Sequence, residues 1–93
     1  MYRVKMTQAL DFVRVTPEGL EYWDHPEISD YGEACTHGRS SARKLVEFIT
    51  DQEDPSLLGR VVKSMSRRQS FGAIETGFFT EISTDLIHHE MSA

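Results

Sequence analysis

The sequence predicts an α+β fold, in which an N-terminal β-hairpin, three-stranded if the first segment joins it, packs on two or three α-helices. Three observations carry this expectation. A Pro- and Gly-containing turn separates two short β-prone runs near the N-terminus. A helical stripe of apolar residues follows an Asp-Pro start at residues 54 and 55. A second such stripe runs from Phe71 to Leu86. At 93 residues the chain has the size of one small domain, spanning 1–93. Leu, Ile, Val and Phe together contribute about a quarter of it, above the level at which charged chains stay disordered.

The first segment, Tyr2 to Met6, alternates large and charged side chains as a half-buried strand does. Residues 10–15, Leu-Asp-Phe-Val-Arg-Val, are rich in β-branched and aromatic types and form the better strand. Thr16-Pro17-Glu18-Gly19 then has Pro at the second turn position and Gly at the fourth, and Leu20 and Tyr22 resume on one face. A hairpin over residues 10–24 follows. Residues 24–38 show no sustained period and contain Pro26, Gly32 and Gly38, which reads as a long loop with room for one helical turn.

Ser40 or Ser41 can cap a helix with apolar positions Ala42, Leu45, Val46, Phe48 and Ile49. Asp54 as N-cap and Pro55 as first helical residue open the next helix. In it, Leu57, Leu58, Val61, Val62 and Met65 form one stripe, and Ser56, Gly59, Arg60, Lys63 and Arg67 take the other side. From Ser70 to about His89, stepping through Phe71, Ile74, Phe78, Phe79, Ile82 and Leu86 persists too long for a strand, so a helix is expected. Gly72 and Gly77 inside it make sense where a neighbouring backbone comes close.

Composition removes several functions. No apolar run approaches the roughly 18 residues a membrane span needs, and the first residues lack the apolar core of a signal peptide. A single cysteine, Cys35, forms no internal disulfide and no cysteine-rich zinc module, which together with the preceding points predicts a cytoplasmic protein. The formal net charge of −5 argues against a generic polyanion coat. Charge is also segregated. Residues 11–36 hold seven carboxylates against Arg14 alone; residues 39–68 hold Arg39, Arg43, Lys44, Arg60, Lys63, Arg67 and Arg68 against four carboxylates; the part from residue 69 carries acids only. Such a layout points to partner surfaces.

No catalytic set assembles along the chain. Cys35 with His37 resembles half of a thiol–imidazole pair or of a metal site, but His25, His88 and His89 are remote and lack paired ligand spacing, so neither a metal nor a cofactor is expected. Gly38-Arg39-Ser40-Ser41 ahead of a helix falls short of a phosphate loop. The expectation is therefore a small acidic, non-enzymatic protein that binds and modulates another protein, in the manner of the inhibitors and adaptors carried by phages and other mobile elements. Glu18, Glu21, Tyr22, Trp23, Asp24 and Glu27 are the candidate contact surface, with Tyr22 and Trp23 as aromatic anchors. Part of the stripe Phe71, Ile74, Phe78, Phe79, Ile82 and Leu86 is expected to bury in a homodimer. The alternative is a nucleic-acid-binding regulator that uses the seven basic residues of 39–68, although the helix after Ser70 has no Arg or Lys with which to read bases.

Overall fold

The structure, a computed structural model, describes residues 10–69 and 71–92, with side chains as far as Ile87. It is α+β: an antiparallel hairpin, β1 (Arg14–Thr16) and β2 (Gly19–Glu21), precedes three helices, α1 (Tyr31–Gln52), α2 (Ser56–Arg68) and α3 (Ala73–Ser92). The strand expected at residues 2–6 lies outside the described residues.

The hairpin turns where Pro17 and Glu18 place it. Thr16 pairs with Gly19, Val15 with Leu20 and Arg14 with Glu21. Gly19 sits at φ +129°, a backbone state that strains a residue with a Cβ. The Thr16 hydroxyl donates to the Gly19 carbonyl at 2.9 Å. The ladder is shorter than the β-prone run that suggested it. Residues 10–13 turn instead of extending, with the Val13 N–H on the Leu10 carbonyl at 3.1 Å. That turn sends Leu10, Phe12 and Val13 all into the core, which an alternating strand cannot do.

The loop expected over 24–38 is the largest correction. Only its first part is irregular: α1 starts at Tyr31, where the Asp30 side chain accepts from the Glu33 N–H at 2.8 Å. Ser40 and Ser41 are therefore interior residues rather than caps, and Ser41 is buried. Gly32 and Gly38 had suggested a break, but Gly38 serves packing. A Cβ there would overlap the Ile74 carbonyl of α3, and a Cβ on Gly77 would overlap the Cys35 carbonyl of α1. Two glycines thus let the α1 and α3 backbones touch, and α1 makes its main helix contact with α3. Gly72, just ahead of α3, has no such neighbour.

Helix α2 starts one residue later than Asp54 capping predicts. Pro55 flanks the first turn without a side-chain cap, and the Asp54 carbonyl accepts from the Leu57 N–H at 3.3 Å. Its stripe packs as expected through Leu57, Val61 and Met65, while Val62 lies toward solvent. Gln69 closes it in the left-handed region at φ 56°.

The core gathers Leu10, Phe12, Val13 and Trp23 from the N-terminal segment against Leu45 and Phe48 of α1, Leu57, Val61 and Met65 of α2, and Phe78 of α3. Trp23 lies at its centre, edge-on to Phe12 at 5.3 Å and to Phe78 at 4.9 Å. With 2% of its surface exposed, Trp23 is a core residue and not the surface anchor expected of it. A small chain has few places to bury an indole, and the turn at residues 10–13 creates one. No helix among the described residues is long and apolar enough to cross a membrane.

Candidate functional site

Most of the basic charge is consumed within the molecule. Glu21 lies 3.7 Å from the Arg67 and 3.9 Å from the Arg68 guanidinium. Asp24 lies 3.4 Å from both Arg14 and Arg68, and Arg68 donates to the Trp23 carbonyl at 2.7 Å. The C-terminal turn of α2 is thereby tied to the strand exit, with the cations at the helix end that favours them. Farther round, Arg39 and Arg43 converge on Glu81 of α3 at 3.1 and 3.4 Å, and Lys44 reaches Asp11 at 3.2 Å. Arg39 therefore supports helix packing and does not wait at a helix N-terminus. Of the acidic surface, Glu18 and Glu27 remain exposed, while Tyr22 is half-buried on the core. Of the seven basic residues, Arg60 and Lys63 alone have no acidic partner among the described residues.

A buried polar cluster unites residues from three parts of the chain. The Trp23 indole N–H donates to Glu75 Oε2 at 2.7 Å, and the Gly72 N–H donates to Oε1 at 2.8 Å. Glu75 is in the first turn of α3, so one oxygen caps the helix start while the other holds the indole. Two donors on one buried carboxylate offset the cost of removing it from water. Above the indole, at 4.0 Å between ring centres, lies His25, which also stacks on Phe12.

His25 Nδ1 is 2.8 Å from Nε2 of His37 on α1, so one of the two nitrogens must be an unprotonated acceptor. Burial, and then the neighbouring His37, lower the His25 pKa from 6.5 to about 4, against the opposing pull of Glu75, Asp11 and Asp24. His25 Nε2 is buried with no hydrogen-bond partner among the described residues. His37 thus pairs with His25 and not with Cys35, which is half-buried and whose nearby thiol raises the pKa of Tyr31 one turn earlier. No group of three His, Cys, Asp or Glu among the described residues is arranged to hold a metal ion.

The apolar stripe of the last helix is divided. Phe78 is fully buried and Ile74 and Ile82 lie against the core, whereas Phe71, Phe79 and Leu86 face out with 68%, 40% and 63% of their surface exposed. Ile87 joins them, a residue the stripe had left out. Phe71, Phe79 and Ile87, set among Thr76, Thr80, Ser83 and Thr84, line an open groove of about 590 Å3. Each threonine hydroxyl donates to the carbonyl four residues earlier: Thr76 to Gly72 at 3.0 Å, Thr80 to Thr76 at 2.8 Å, Thr84 to Thr80 at 2.9 Å. The one carboxylate in this groove, Glu75, is already engaged at both oxygens.

The histidine pair, the capping carboxylate and the division of the stripe all depend on contacts between distant segments. Only the adjacency of aromatic residues and histidines, Tyr22, Trp23 and His25, hinted at the cluster in advance. No family model, curated protein or solved structure matches the chain.

Proposed function

We propose that this protein is a non-enzymatic adaptor or inhibitor that binds another protein through the outward face of α3. One observation carries the reading: Phe71, Phe79 and Ile87 are exposed together in a groove whose three threonines and one carboxylate are already hydrogen-bonded within the molecule. Covering such a face removes apolar area from water, at about 25 cal/mol per Å2, and leaves the threonine hydroxyls and Glu75 with the hydrogen bonds they already make. Elsewhere the surface offers less to a partner, because Trp23 is enclosed and Glu21 and Asp24 are held by arginines. A second copy of the chain is a partner of the right kind, since a face without free charge does not repel itself.

The test compares wild type with Phe79→Asp/Ile87→Asp. Sedimentation velocity at micromolar concentration reads self-association, and quantitative affinity capture from the source cell reads other partners. A folded double variant that loses a partner or the dimer supports the reading. A variant that sediments and captures as wild type does, or a wild type that is monomeric and captures nothing specific, overturns it.

A further inference from the structure

We infer that the cleft between β2 and α2 binds a nucleoside phosphate, free or within a single strand, independently of the α3 face. The cleft has a volume of about 260 Å3 and is lined by Leu20, Tyr22, Arg60, Lys63, Ser64 and Arg67. Its charge runs against the rest of the molecule. In a chain with 15 carboxylates and 10 Lys and Arg, cations have ample acidic residues to pair with. Arg14, Arg39, Arg43, Lys44, Arg67 and Arg68 all do so, and the two described cations that do not, Arg60 and Lys63, share this cleft.

Spacing adds to the case. Arg60, Lys63 and Arg67 stand at i, i+3 and i+7, so they share one helix face over about 10 Å of rise. Like charges in that arrangement repel one another, a cost that a bound anion relieves. Arg67 is only loosely committed, at 3.7 Å from Glu21. A phosphate oxygen suits both the fork of the arginines and the ammonium of the lysine. Opposite these cations, Tyr22 and Leu20 supply an aromatic ring and an aliphatic wall. A planar base stacks on such a surface whatever its sequence, while an acidic peptide has no use for the ring.

The probe is a fluorescein-labelled oligothymidylate of about 12 nucleotides, titrated by anisotropy at several salt concentrations. Binding should weaken with salt at a log–log slope near −2, from about 0.7 per phosphate and three contacts. Arg60→Gln/Lys63→Gln should lose roughly tenfold or more in affinity and most of that slope, while Tyr22→Leu should lose roughly tenfold and keep the slope. Arg39→Gln/Arg43→Gln, whose charges serve Glu81, should bind as wild type. Competition by thymidine monophosphate identifies a free nucleotide as sufficient, and competition by unlabelled strand alone identifies a strand. Absence of binding at low salt, unchanged binding by a folded Arg60→Gln/Lys63→Gln, or equal competition by a glutamate oligomer would each overturn the inference.

Discussion

The two sides of α3 solve the same problem in opposite ways. On the inner side, each interaction requires another part of the chain: Gly77 needs the Cys35 carbonyl beside it, Phe78 needs Trp23, Glu75 needs the indole N–H and Glu81 needs two arginines of α1. On the outer side, the threonines satisfy their hydroxyls on the helix itself, Leu86 and Ile87 stay mostly exposed, and Phe79 is partly covered edge-on to Phe78. The inner side is committed to this fold, whereas the outer side satisfies its threonines on itself and leaves its apolar residues incompletely buried. A helix that only served the core would carry charge outward. This contrast is what motivates a partner for the outer face.

The sharpest way to break the comparison is to enlarge the inner side. Gly77→Ala or Gly38→Ala places a methyl group into a facing backbone, which cannot move aside as a side chain can, so α1 and α3 must separate. A loss of about 3 kcal/mol in urea unfolding is expected for either, and a loss under half of that would mean the backbones are not in contact. Next in size is Trp23→Phe, which keeps much of the ring but leaves Glu75 Oε2 buried without its donor. It should cost about 2 kcal/mol, and Glu75→Ala added to it should cost less than the two single changes summed.

The histidine pair yields a pH effect of about 2 kcal/mol or less, because His25 keeps part of its surface exposed. The pKa of His25 is near 4 in the fold and near 6.5 when unfolded, so the unfolded chain binds the proton more readily. Stability is therefore full above pH 6.5 and declines as pH falls toward 4. Urea midpoints across that range should show the decline in wild type and a flatter profile in His25→Phe; equal profiles would remove His25 as its source. The smallest expected effect is on the outer side. Leu86→Ser should change stability by no more than about 0.5 kcal/mol, and a larger loss would place Leu86 within the core.

What could be read from residues alone follows from how far each feature's cause lies along the chain. The hairpin was legible because Pro17 and Gly19 act within four residues, and α2 because its stripe repeats every turn. The first turns of α1 were not, since Gly38 looks like a helix breaker until the α3 backbone is placed against it. Trp23 beside acidic residues looked like an interface anchor for a similar reason: Arg67 and Arg68, which neutralise the neighbouring Glu21, come more than forty residues later. The stripe of α3 did mark a helix, but periodicity alone does not divide one apolar face between a core and the outside.

The placement of Trp23 has a spectroscopic consequence. It is the sole tryptophan of the chain, so near-ultraviolet emission excited at the red edge reports one position. Its indole is shielded from water, its N–H is given to a carboxylate, and an imidazole lies across its edge at 4.0 Å. The folded chain should therefore emit toward the blue, shift red as the packing opens, and dim as the imidazole takes up a proton and becomes a better quencher. The molecule thus contains its own optical gauge of whether its N-terminal segment, α2 and α3 are assembled, with no label attached.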